Sequence, residues 1–191
     1  MKIILASKSP RRKEIFSRLA DEYGFEFDII TAPTDEELYG EHPKTGVATL
    51  AVRKGAAVYK KHPDALVVSA DTLVELNGVP LGKPVDESDA ERMLKSLSEN
   101  THNVHTGIAV HYKNKVFSGV ATTAVTFRRL SDAEIAEYIA SGEPMDKAGA
   151  YGIQGKAGAF VASYDGEFDT VVGFNVTLLK KLLKEAAGNE Q

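Results

Sequence analysis

Residue types able to do chemistry gather first at Ser7-Lys8-Ser9-Pro10-Arg11-Arg12-Lys13. The apolar run of residues 3–6 leads into this hydroxyl-bearing turn, and Ser9 and Pro10 suit the cap and first turn of a helix. Arg11, Arg12 and Lys13 then stand where a helix dipole is already positive and acidic side chains are favoured. An anion reverses the sign of that arrangement. Backbone N–H groups, the Ser7 and Ser9 hydroxyls and two guanidinium forks can converge on phosphate oxygens. A solvated basic turn is the plain alternative.

Further charged residues occupy odd places. Lys54 falls in the apolar stripe Val47, Leu50, Ala51, Ala57, Val58 of a helix, so its ammonium either snorkels to water or points at a negative group at the edge of the core. Asp71 follows residues 65–70, a nearly continuous apolar run that reads as a strand covered on both faces. Ligand chemistry gathers beyond the carboxyl ends of such strands, although a strand-end turn former is the alternative for this acid. Pro84 holds Lys83 extended, and Glu36 lies in the acidic loop 32–37. Cations at Arg12, Lys54 and Lys83 with carboxylates at Glu36 and Asp71 match what hydrolysis of a nucleoside triphosphate requires. The cations suit a polyanion, and one or two carboxylates suffice for a hard divalent metal such as Mg²⁺.

The elements that must position these groups alternate in type. Helical spacing covers residues 10–21 (Ile15, Phe16, Leu19, Ala20 inward), 45–61, 87–97 (Ala90, Met93, Leu94, Leu97 inward) and 175–186. Strand patterns cover 25–31, 65–70, 104–112, 116–127 and 159–164, and Asn77-Gly78 between two apolar runs signals a hairpin. Ser131-Asp132-Ala133-Glu134 is a capping box for another helix, closed by Gly142 and Pro144. Across residues 146–156 glycines recur three apart, where backbone approaches a ligand or another segment closely. The order predicts an α/β chain with a sizeable antiparallel component.

At 191 residues the chain is one domain, or two closely joined lobes, spanning 1–191 without a linker. Its net charge of -4 argues against a nucleic-acid partner, which calls for a basic excess. Cysteine is absent, excluding disulfides and thiolate catalysis. No apolar run approaches the roughly 20 residues that span a bilayer, so neither a membrane helix nor a signal peptide is expected and the cytoplasm is the default location. Phosphate-loop, dinucleotide and zinc-protease motifs are missing, and the five histidines show no metal spacing and read as structural or surface groups.

Taken together, Leu5-Ala6-Ser7-x-Ser9-Pro10-Arg11-Arg12, Asp35-Glu36, Lys54, Ala70-Asp71-Thr72, Gly82-Lys83-Pro84 and the run from Gly142-Glu143-Pro144 to Tyr151-Gly152-Ile153-Gln154-Gly155 resemble the Maf family of nucleoside triphosphate pyrophosphatases, in order and over essentially the whole chain. The resemblance implies an inosine triphosphate pyrophosphatase-like α/β fold, a mixed twisted sheet with flanking helices and two lobes around a central cleft. It also implies a Mg²⁺ or Mn²⁺ requirement, a homodimer, and hydrolysis between the α- and β-phosphates to a nucleoside monophosphate and pyrophosphate. Carried over by position, Asp71 is the proton acceptor, Arg12, Lys54 and Lys83 hold the triphosphate, Glu36 with Asp71 binds metal, and Arg12, Thr72 and Gln154 bear on substrate choice. The blocks look like the branch acting on dTTP and UTP, and Gln154 offers an amide donor and a carbonyl acceptor to the O4 and N3–H edge of those bases. Gly55 and Asn175 depart from the alanine and proline usual in the family. A nucleotide-sensing regulator of cell division, without turnover, is the alternative function.

Overall fold

The structure is a computed structural model that describes residues 1–35, 37 and 42–188. Among these, β1 (Ile3–Leu5), β2 (Asp28–Ile29), β3 (Leu66–Leu76), β4 (Val79–Leu81), β5 (Thr101–Tyr112), β6 (Lys115–Phe127) and β7 (Val161–Asp165) form one seven-stranded mixed sheet. The strand order is β2-β1-β3-β5-β6-β7, with β4 paired to β3. The helices are α1 (Pro10–Tyr23), α2 (Pro43–Tyr59), α3 (Glu87–Leu97), α4 (Asp132–Ala140), α5 (Phe168–Val172) and α6 (Val176–Gly188), so the fold is mixed α/β. Among the described residues no helix is long and apolar enough to cross a membrane.

Contacts divide the chain into two units, the first made of Met1–Asp71, Thr106–Ala121 and Gly173–Gln191, the second of Thr72–His105 and Thr122–Val172. In the first, β1 runs parallel to both β2 and β3, with Ile4 opposite Asp28 and Val67. Ser9 caps α1 by accepting from Arg12 N, and Gly24 ends it in the left-handed conformation at φ 67°. The strand expected over 25–31 is reduced to the two residues of β2. β1 is only three residues long and offers little ladder, so Phe25 and Phe27 instead turn edge-on to Phe16, with ring centroids 5.6 and 4.8 Å away. α2 starts at Pro43, capped by His42, and lies directly on β5. A Cβ on Gly107 would fall 2.4 Å from the Val47 carbonyl oxygen. Asn175 caps α6 by accepting from Leu178 N at 2.6 Å.

In the second unit α3 and α4 cover an apolar cluster that includes Met93, Leu94, Leu97, Phe127, Ile135 and Phe160. α3 has the expected bounds and buries the four expected residues, and α4 opens on the expected capping box at Ser131 and Glu134. Asn77 and Gly78 carry the positive φ values, 52° and 81°, that a tight hairpin turn needs. One expectation needs correction: β3 does not end before Asp71. Pairing with β4 through Val74, Glu75 and Leu76 extends it to eleven residues, so Asp71 sits in mid-strand rather than at a carboxyl end.

Candidate active site

The strand that does end here is β1. Leu5 makes its last pair with β3, opposite Val68, and Ala6 N still donates to Val68 O at 2.7 Å. The next carbonyl along that edge of β3, Ala70, lies past the last β1 pair, and Arg12 satisfies it. Nη1 donates to Ala70 O at 2.8 Å while Nε donates to Gly173 O at 2.9 Å. Two of the five guanidinium N–H donors are thus spent on backbone carbonyls. The sequence reading gave Arg12 entirely to an anion. In the structure it also ties the start of α1 to the residue before Asp71.

Asp71 itself accepts, through Oδ1, from the Lys54 ammonium. Of the two fates open to Lys54, α2 delivers the second: the head turns to a negative partner and the pair is largely enclosed, with side chains 18 % and 11 % exposed. Removing two charges from water costs several kcal/mol each, which the mutual attraction only about offsets, so such a pair is a poor source of stability.

The loop between β1 and α1 is held by its own hydroxyls. Ser7 Oγ accepts from Ser9 N at 3.2 Å and Ser9 Oγ from Arg12 N at 3.5 Å, so what each hydroxyl offers an anion is its proton. Ser7 is buried and Arg11, at the second position of α1, is half-buried. Glu36 lies outside the described residues. The first unit therefore brings Arg12, Lys54 and Asp71 together, with Ser7 and Arg11 on the adjoining turn.

Thr72, Lys83 and Gln154 belong to the second unit. Thr72 is half-buried in β3, and Lys83 is exposed just after β4, where Gly82 O accepts from Gly149 N at 3.0 Å. Gln154 is exposed on a turn closed by Gly155 N donating to Gly152 O at 3.0 Å. Glu143 organises this turn: Oε2 accepts from Lys156 N at 3.3 Å and Oε1 from the Tyr138 hydroxyl at 3.1 Å. Burial, reinforced by the charge of Glu143, pushes the Tyr138 phenol above its ordinary range, so it keeps the proton it donates. A Cβ at Gly155 would lie 1.9 Å from Glu143 Oε1. Of the spaced glycines, Gly155 thus makes room for Glu143, Gly152 for Lys147 and Gly149 for Val74.

Sequence reasoning missed the residues behind these groups. Ser69, two residues before Asp71 and on the same face of β3, donates to Ala51 O of α2 at 2.7 Å. A lone serine inside an apolar strand was the available signal. His105, left among the structural histidines, bridges strands in the second unit, with Nε2 2.8 Å from Glu75 Oε2 and Nδ1 2.8 Å from Thr122 Oγ1.

The chain is similar to known proteins over nearly its whole length. The model of the family described as Maf-like protein matches residues 2–186, and the chain belongs to that family. A protein named dTTP/UTP pyrophosphatase from Aquifex aeolicus is 45% identical over 185 residues, covering 97% of this chain and 95% of its own. Another of that name from Thermococcus gammatolerans is 46% identical, covering 94% of each chain, and one from Bacillus cereus is 44% identical, covering 96% and 95%. A solved nucleoside-triphosphatase (dITP/XTP pyrophosphatase) from Mycobacterium abscessus aligns at 15% identity and a TM-score of 0.45, covering 68% of this chain and 74% of its own.

Proposed function

We propose that this protein hydrolyses dTTP and UTP between the α- and β-phosphates, releasing the nucleoside monophosphate and pyrophosphate, with a divalent metal. The observation that carries the reading is the enclosed Lys54–Asp71 pair one residue from the carbonyl that Arg12 holds. Asp71 acts as general base and takes a proton from the attacking water, while the electron pair of the broken phosphoanhydride bond leaves on pyrophosphate. Lys54 orients that carboxylate, and with Arg12, Arg11, Lys83 and the Ser7 hydroxyl it supplies positive charge and donors to the phosphate oxygens. Gln154 and Thr72 select the base. The roles of Arg12, Lys54 and Asp71 are supported by the family resemblance together with the geometry above, and those of Lys83, Thr72 and Gln154 by the resemblance alone.

Among the described residues no group of three or more His, Asp or Glu side chains is arranged to hold a metal. Mg²⁺ or Mn²⁺ bound largely through substrate phosphate and water needs only one or two carboxylates. Asp71, whose carboxylate keeps lone pairs beyond the one given to Lys54, fits that demand, and Glu36 is the second candidate. When bound, the metal supplies Lewis acidity at the phosphoryl oxygens. The protein is further proposed to be a cytoplasmic homodimer, which fractionation and light scattering test.

Pyrophosphate release, measured with Mg²⁺ or Mn²⁺ across dTTP, UTP, CTP and GTP, tests the function. Turnover of dTTP and UTP above the others is expected. Binding of dTTP with no pyrophosphate released overturns the reading in favour of a nucleotide sensor.

A further inference from the structure

Lys54 has to be delivered to Asp71 by a helix, and the way α2 is seated on the sheet is unusual at one point. Gly55, the residue after Lys54, has no side chain, and the imidazole of His111 from β5 occupies that space. A Cβ at residue 55 would lie 2.5 Å from His111 Cδ2 and Nε2 and 2.6 Å from Ser69 Oγ. His111 Nε2 is 3.2 Å from Val52 O, and because a carbonyl only accepts, Nε2 carries the proton and donates. Ser69 Oγ donates to Ala51 O in the same turn. Two consecutive carbonyls of the turn that carries Lys54 are therefore pinned from the sheet, one from β3 and one from β5.

The outer side of the imidazole is closed by Tyr59, whose ring stacks on it with centroids 5.7 Å apart and planes at 29°. Tyr59 is itself held, its hydroxyl accepting from Asn114 N at 2.9 Å. His111 is 2% exposed, and burial keeps its pKa below the ordinary imidazole value against the opposing pull of Val52 O, which suits a neutral ring with one donor. Gly107 and His111 lie on one face of β5, four residues apart, and both meet α2 where side-chain bulk is lacking or filled to measure. Enclosing an imidazole donor is tolerable because Val52 O accepts from it, whereas a leucine would fill similar volume with no polar atom to satisfy. The imidazole's directional bond to α2 is what distinguishes it from filler.

We propose that His111 is a positioning residue: seated against Gly55 and bonded to Val52 O, it sets the height and rotation of α2 so that the Lys54 ammonium meets Asp71. This deepens the proposed hydrolase reading and rests on it for the kinetic consequence, but the positioning itself is measurable without turnover.

Two variants separate the bond from the packing. His111→Leu keeps an apolar body and removes the donor, and His111→Gln places an amide N–H near the position of Nε2. Small misplacements of a charged group at a reacting centre cost about 10- to 100-fold in rate, so kcat should fall by that factor in His111→Leu and recover to within about threefold of wild type in His111→Gln. In a Lys54→Ala background, His111→Leu should lower kcat no further, because it acts through Lys54, whereas a general loss of structure would multiply the two losses. Independently of activity, acetylation of Lys54 by an amine reagent, followed by mass spectrometry, should rise severalfold in His111→Leu and stay at the wild-type level in His111→Gln. Lys147 of the second unit, whose side chain is 14% exposed and bonded to Asp146, is the internal control and should not change.

If His111→Leu fails to fold, Gly55→Ala puts a methyl group where the imidazole sits and should raise Lys54 labelling in the same way. Unchanged Lys54 labelling in the folded variant overturns the proposal. Wild-type protein that releases no pyrophosphate, with the labelling pattern intact, overturns the hydrolase reading and leaves the positioning role standing.

Discussion

The Arg12 guanidinium is bonded to the carbonyl of Ala70, the residue immediately before Asp71, so a side chain from the first turn of the chain's first helix is fixed beside the mid-strand acid of β3. This bond exists because β1 stops at Leu5 while β3 continues, leaving a carbonyl that a neighbouring strand would otherwise satisfy. Arg12→Ala removes the donor from Ala70, which is completely buried, and an unsatisfied buried carbonyl costs about 1–3 kcal/mol. Urea unfolding should show a loss of that size, and hydrolysis should fall with it. Arg12→Lys cannot reproduce both bonds and should recover little of either. A fully active Arg12→Lys would mean the guanidinium geometry is irrelevant.

Asp71→Asn keeps an acceptor for Lys54 and removes the base. Turnover should drop by about 10²- to 10⁴-fold in a protein that still folds, since the amide oxygen still accepts from Lys54. Steady-state kinetics beside a urea curve checks both halves, and near-normal turnover takes Asp71 out of the mechanism.

Gly107→Ala tests the seat of α2 at its other end. The added methyl would fall 2.4 Å from Val47 O, a backbone atom that cannot move aside alone, so the variant should be destabilised by about 1–3 kcal/mol. A melting temperature equal to wild type would show that α2 shifts freely on β5.

Gln154 is exposed and its turn is held through Glu143, so Gln154→Leu should leave stability unchanged. The ratio of kcat/KM for UTP over CTP should fall, by about 10-fold for loss of a paired amide. An unchanged ratio removes Gln154 from base selection.

His102 supplies a pH dependence. Its Nε2 is 2.8 Å from the Tyr151 hydroxyl, Nδ1 has no hydrogen-bond partner among the described residues, and burial lowers its pKa to about 4. The folded state therefore resists a proton that the unfolded chain accepts near pH 6.5. Stability is fully present above that value, falls as pH drops from about 6.5 to about 4, and the loss from this group is complete below, at most about 3 kcal/mol. Folding free energies measured across this window should show a smaller slope in His102→Gln, and an equal slope would assign the acid sensitivity to other groups.

Local chemistry determined much of this protein without help from tertiary structure. The bounds of α3, the capping box of α4, the Asn77-Gly78 hairpin and the Ser9-Pro10 start of α1 follow from caps, periodicity and turn conformations that act over a few residues, and the blocks that mark the family are contiguous in sequence. What only the tertiary structure decided is what long-range packing controls: that β3 runs through Asp71 because β4 pairs with it, that Lys54 turns to Asp71 rather than to water, and that Arg12 is held by Ala70 and Gly173. The same holds for the supports, since nothing near Lys54 in sequence announces that Ser69 and His111 would reach its helix. A hydrogen bond between residues tens of positions apart depends on the register of strands and the seat of a helix, and neither quantity is written in the identity of the residues that make it.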